Sequence, residues 1–107
     1  IINPIVSSTA STATLTVDSD VNDFVVLTAQ SEALTIAAPT GTPVEGQKLI
    51  IRLKDDGSAR GITFNAIFRA IGITLPTTTV ASKITYLGLV YNSTDTKWDV
   101  VAVKEEA

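Results

Sequence analysis

The 107-residue chain contains no cysteine, no histidine and no methionine. Lack of cysteine excludes disulfides and thiolate ligands. Lack of histidine removes imidazole metal sites, Ser-His and Cys-His nucleophile pairs and a histidine proton shuttle. A non-catalytic protein without cofactors is therefore expected. Charge is also scarce, at 18% of residues with a net −3, a balance that disfavours nucleic acid as a partner. No run approaches the roughly 18 to 20 apolar residues that span a bilayer, so no membrane insertion is expected. The chain opens Ile1-Ile2 rather than with methionine, which points to a processed product or a portion of something longer, and its first residues lack the basic region expected of a retained signal peptide.

What is present is β-forming. Hydrophobic residues make up 45% of the chain, and there are sixteen threonines, whose branched side chains suit a pleated, half-exposed surface. Ala13, Leu15 and Val17 alternate with Thr14 and Thr16, and Leu34, Ile36 and Ala38 alternate with Thr35 and Ala37. Residues 47–54 give the cleanest period of two: Leu49, Ile51 and Leu53 share one face, and Lys48, Ile50, Arg52 and Lys54 the other. Polar turns at 18–23, 30–32, 55–58 and 92–96 separate such runs, and Pro39 and Pro43 end another. Residues 66–71 fit either an extended segment or a short helical turn. The pattern predicts an all-β domain of about seven or eight short strands. The default architecture is an antiparallel β-sandwich, jelly-roll-like. Residues 1–12 read as a linker or attachment segment, 13–103 as the β-sandwich domain, and 104–107 as a charged tail.

The candidate chemistry is thin. Asp18, Asp20 and Asn22 match the first half of an EF-hand loop, but Asp23 occupies the glycine position and Ala29 the bidentate glutamate position. Turn residues capping their own backbone explain these acids better, with a looser calcium site as the alternative. Asp55 and Asp56 are adjacent and would point to opposite faces of a strand. Asp95 and Asp99 share a hairpin, yet nothing in their spacing marks a glycosidase pair. Arg52, Lys54, Arg60 and Arg69 lack the interleaved aromatics of a nucleic-acid platform. Trp98 alternates with Val100 and Ala102 and reads as core. Tyr91, at the end of its strand, is the candidate contact for a glycan.

The clearest oddity is apolarity on both faces of single strands. Ile50 sits on an otherwise polar face, Val25 and Leu27 oppose Phe24 and Val26, and Leu87 and Leu89 oppose Tyr86 and Val90. An isolated two-layer sandwich keeps one wet face per sheet. Ile50, Val25, Leu27, Leu87 and Leu89 are accordingly the candidate residues of a subunit interface.

Three segments carry a resemblance. They are Gly46-Gln47-Lys48-Leu49-Ile50-Ile51-Arg52-Leu53-Lys54-Asp55-Asp56-Gly57-Ser58-Ala59-Arg60, then Tyr86-Leu87-Gly88-Leu89-Val90-Tyr91-Asn92, then Lys97-Trp98-Asp99-Val100-Val101-Ala102-Val103. Together they resemble the C-terminal β-domain of tailed-bacteriophage structural proteins: head fibres, capsid decoration proteins and tail fibres. The resemblance covers roughly Gly46 to Val103. It implies a jelly-roll-like homotrimer on the surface of a virion, in contact with other capsid or tail proteins. Some such domains bind host-surface glycans, and a carbohydrate-binding receptor or adhesion module is the alternative function.

Overall fold

A computed structural model describes residues 5–107, so Ile1 to Pro4 of the expected linker lie outside the described residues. The described residues form nine strands and no helix. They are β1 (Val6–Thr9), β2 (Thr14–Leu15), β3 (Phe24–Gln30), β4 (Leu34–Ile36), β5 (Lys48–Asp55), β6 (Ile62–Phe64), β7 (Phe68–Ala70), β8 (Ile84–Asn92) and β9 (Lys97–Glu105). The Ser/Thr-rich segment read as a linker holds the edge strand β1. The charged tail begins inside β9, and the ambiguous stretch at 66–71 contains β7.

The strands form a six-stranded sheet in the order β1-β3-β5-β8-β9-β7 and a small sheet in the order β2-β4-β6. From β1 to β6 the chain alternates between the two sheets, so each circuit lays one rung on the previous one. Neighbouring rungs therefore pair parallel: β1 with β3, β3 with β5, β2 with β4, and β4 with β6. β5–β8 and β8–β9 are antiparallel, and β7 joins β9 in parallel. The all-β expectation holds, but strand direction is mixed rather than antiparallel throughout. The reason is physical: a period of two reports that one face is buried and is blind to the direction of the neighbouring strand.

Side chains line up in columns across the rungs. Leu15, Ile36 and Phe64 share one register in the small sheet, and Thr14, Thr35 and Thr63 the next, outward-facing one. In the large sheet Val25, Ile51 and Leu87 are aligned, as are Leu27 and Leu53. These inward columns meet in one core with Leu34, Ile62, Leu49, Leu89, Phe68, Trp98 and Val100.

Where the chain turns from the large sheet to the small one, buried polar side chains hold the corners. Gln30 is fully buried; its Nε2 donates to the carbonyls of Thr12 at 2.6 Å and Glu32 at 2.9 Å, and its Oε1 accepts from Thr12 N–H at 3.1 Å. It thus ties the first rung to the second. Asp55, beside Gln30 in register, ties the third rung to the segment that leads into β8. Its Oδ1 accepts from Gly57 N–H (3.0 Å) and Ser82 N–H (2.7 Å), and its Oδ2 from the Thr79 hydroxyl (2.7 Å). At the opposite corner Gly41 has φ +94°, and a Cβ there would lie 2.7 Å from the Asp20 carboxyl carbon. Only glycine fits.

One strained position is correctable. Thr96 closes the β8–β9 turn with φ 55°, a left-handed conformation that a β-branched residue adopts at a cost of roughly 1–2 kcal/mol. Thr96→Gly is expected to raise stability by about 0.5–1 kcal/mol, the gain being trimmed by glycine's freedom in the unfolded chain. A higher urea midpoint at unchanged slope would show it; an unchanged or lower midpoint would refute it.

Candidate functional site

The outward face of the six-stranded sheet carries the most unusual surface. Two rows cross it in register: Val6–Phe24–Ile50–Gly88–Ala102 and Ser8–Val26–Arg52–Tyr86–Lys104. A bulge between Gly88 and Leu89 brings Val101 out of line with its neighbours. Val6, Ile50, Tyr86 and Val101 are all 40 to 52% exposed. Gly88 leaves a shallow dip in the middle, since a Cβ there would meet only the Ala102 methyl at an ordinary 3.5 Å.

Cations surround this apolar centre: Lys48, Arg52 and Lys54 share the outward parity of β5, and Lys104 stands opposite Tyr86. The Arg52 guanidinium lies 5.7 Å from the centroid of the Phe24 ring and donates a long 3.4 Å bond to the Tyr86 hydroxyl. It therefore covers aromatic surface while keeping its charge in water. Beside the face opens a groove of about 630 Å³, lined in part by Ile5, Asp20, Val21, Asp23, Phe24 and Ile50. The groove overlaps the face, since Phe24, Lys48 and Ile50 line it too, and its far wall brings the carboxylates of Asp20 and Asp23.

Most of the residues singled out from sequence lie elsewhere. Val25 (2% exposed), Leu27 (1%), Leu87 (0%) and Leu89 (2%) are inside the core and cannot form a subunit interface. Of the five candidates Ile50 alone is on the surface. For β3 and β8 the inward and outward phases are exchanged relative to expectation. In β3 the first polar side chains come only at Thr28 and Gln30, so the apolar start carries no mark of which parity is wet. In β8 both parities are apolar. Phe24, Val26, Tyr86, Gly88 and Val101 consequently escape a strand-by-strand reading. The signal lies one strand away, because Ile50 shares parity with Lys48, Arg52 and Lys54, and pairing carries that parity across the sheet.

Tyr91 is likewise corrected. It is buried, and its ring packs on Trp98 with centroids 5.1 Å apart, so it offers no face to a sugar. The loop acids are spent on backbone. Asp18 accepts from Asp20 N–H at 3.0 Å, Asp20 from Thr42 N–H at 2.9 Å, and Asp23 from Ile5 N–H at 2.6 Å. Among the described residues no cluster of acidic side chains converges on a common point.

Asp55, Asp56, Asp95 and Asp99 have partners too. Arg60 bonds both carboxylate oxygens of Asp56 at 2.8–2.9 Å, and this bond lowers the pKa of Asp56. Arg69 bridges Asp99 at 2.8 Å and Asp95 at 3.0 Å, which raises the pKa of its guanidinium. Burial alone would raise the pKa of Asp55. Its bonds from Ser82, Thr79 and Gly57, with the charge of Arg60, outweigh burial and leave it below the usual carboxylate value. The outward face gathers Val6, Ile50, Tyr86 and Val101, four of the nine exposed large hydrophobics among the described residues. Comparison with protein-family models, curated proteins and solved structures finds no match for the chain.

Proposed function

We propose that this chain is a structural module of a virion, a homotrimeric capsid decoration or fibre domain that acts by binding and assembly rather than by catalysis. The observation that carries the reading is the apolar outward face centred on Ile50, Tyr86 and Val101. It is supported by the resemblance of residues 46–60, 86–92 and 97–103 to phage β-domains. The jelly-roll-like sandwich of those domains is the finer fold reading attached to this proposal; the parallel rungs depart from it.

Electrostatics favour a ring over a two-fold pair at this face. A two-fold would set Lys48, Arg52, Lys54 and Lys104 against themselves. A head-to-tail ring avoids that self-opposition and lets the basic side chains of one copy reach Asp20 and Asp23 of the next, which lie beside exposed Val21 and Ile5. At roughly 25 cal/mol per Å², a few hundred Å² of apolar area per contact contributes several kcal/mol before association costs. In this reading the module sits on the surface of the particle against other capsid or tail proteins.

The test is copy number. Native mass spectrometry at micromolar concentration is expected to give a species whose number of chains is divisible by three. Ile50→Arg is expected to abolish the threefold while leaving the circular-dichroism spectrum β-like. A wild-type monomer, or an Ile50→Arg protein of unchanged copy number, would reject the proposal.

A second reading, host-surface glycan binding, finds its support in Tyr86 rather than Tyr91. Tyr86 is 41% exposed, with a hydroxyl and the Arg52 guanidinium beside it. Glycan-array binding lost in Tyr86→Ala, with copy number intact, would establish it.

A further inference from the structure

The first rung of the stack has an open side. β1 is the terminal strand of the large sheet and β2 the terminal strand of the small one, so both sheets end at the same rung. On its inner side that rung is fully engaged. Ile5 and Ala10 carbonyls accept from β3 and its approach, and Ala13, Leu15 and Val17 carbonyls accept from the second rung. On its outer side the strands β1 and β2 have no neighbour among the described residues.

Edges of this kind are ordinarily blunted by lysine, proline, an inward charge or a bulge. β1 and β2 are short, at four and two residues, but this edge carries none of those four devices. From Ile5 to Val17 there is no charged residue, no proline and no glycine. The β1–β3 register runs unbroken through Val6↔Phe24, Ser7↔Val25, Ser8↔Val26 and Thr9↔Leu27. The other end of the large sheet is treated differently. There the edge strand β7 carries Arg69, tied to Asp99 and Asp95. One edge is charged and the other is not.

We infer that the open rung is a second interface between copies of this chain, in which β1 pairs antiparallel with β1 of a second copy about a two-fold axis. The occupant follows from charge. At a two-fold axis every residue near the centre meets its own counterpart, so any charge there repels itself. The uncharged segment 5–17 is free of that penalty. The side chains are also small, so Ser7, Ser8, Thr9, Ala10 and Ser11 put no bulky cross-strand pair above or below the joined strands.

Parity narrows the register. Directly opposed residues must share a face, and Ser7 belongs to the inward column of Val25 while Ser8 belongs to the outward column of Val26. The pair is therefore centred on Ser7 or on Ser8, and in either case residue 8 lies opposite or diagonal to its counterpart. This interface uses the backbone groups of β1 in the plane of the sheet, whereas the threefold uses side chains of the outward face, of which Val6 and Ser8 form only the margin. Where both form, the two-fold doubles the threefold species.

The experiment uses Ser8, whose side chain is exposed, so a long charged replacement is not forced into the core. Ser8→Lys and Ser8→Glu, each alone, are expected to halve the copy number seen for the wild type by native mass spectrometry. Mixed in equal amounts, the two variants are expected to restore the wild-type number as heteromeric species, because an ammonium on one copy then faces a carboxylate on the other. A merely misfolded edge would not recover on mixing. Independently, hydrogen exchange of the wild type at Val6–Thr9 is expected to slow at least about tenfold between nanomolar and high micromolar concentration. Unchanged copy number in both single variants, failure to recover on mixing, or exchange independent of concentration would each overturn the inference. A threefold species that survives all of these would leave the outward-face reading standing.

Discussion

Asp55→Ala is expected to destabilise the domain by about 3–4 kcal/mol, a large share of the roughly 5–15 kcal/mol typical of a domain this size. The carboxylate is 3% exposed and accepts three bonds: two from backbone N–H groups and one from the Thr79 hydroxyl. Alanine strands all three donors in a site water cannot easily enter. The damage spreads, because Thr79 Oγ1 also accepts from Arg60 N–H at 2.8 Å, and Ser82 holds φ 62° at the turn that leads into β8. Asp55→Asn is milder, at about 1–2 kcal/mol, since its carbonyl can keep Gly57 and Ser82 while its amide loses only the Thr79 hydroxyl as a donor. Urea unfolding at neutral pH checks the order Ala worse than Asn. Equal stability of wild type and Asp55→Ala would refute the clamp.

The same carboxylate fixes an acid limb. Its folded pKa lies below the ordinary value of 3.8. Its stabilising contribution is therefore complete above that value and drains away as pH falls through the lower folded one. Below pH 3.8 the wild type should lose stability towards that of Asp55→Asn, so the gap between the two closes in acid. A gap that stays constant down to about pH 2 would contradict the assignment.

Trp98→Ala is expected to cost about 3–5 kcal/mol, the usual penalty for deleting a large buried ring. Trp98 is 1% exposed, tilts against Tyr91, and stands in register with Phe68 of β7. Because β7 has only three residues, its attachment depends on this contact and on the Arg69–Asp99 bridge across the strand. Trp98→Phe keeps an aromatic partner for Tyr91 and is expected to lose about half as much. Circular-dichroism melts are the right readout, since this is the chain's single tryptophan and its own fluorescence vanishes with it. A loss below about 1 kcal/mol would mean the site collapses around the smaller side chain.

Legibility from sequence varies with what each pattern encodes. The β5 strand is readable in full, because Lys48, Arg52 and Lys54 mark the wet parity and Leu49, Ile51 and Leu53 the dry one. The Val25–Leu27 and Leu87–Leu89 assignments fail because apolar residues on both parities leave phase undetermined until a neighbour's register is known. Strand direction is hidden for another reason. Residues 30–32 read as a polar turn, yet the connection from β3 to β4 carries the chain across to the opposite sheet, and local turn chemistry is the same either way. The burial of Asp55 and Gln30 is equally hidden, since their partners Ser82, Thr79 and Thr12 are contributed by distant loops.

The mixed sheet also imposes an order on the chain's own assembly. Among the described residues only β8 and β9, joined by residues 93–96, are strand partners that follow each other directly in sequence. Every rung before them closes a long loop: residues 10–23 separate β1 from β3, and residues 31–47 separate β3 from β5. The entropy lost in closing such a loop is recovered only when the receiving strand is already in place. The carboxyl-terminal hairpin is thus the local seed, β5 the first strand to dock on it, and the Ser/Thr-rich rung the last. A chain emerging from a ribosome would expose its uncharged first rung for the whole of synthesis, before the template that receives it exists.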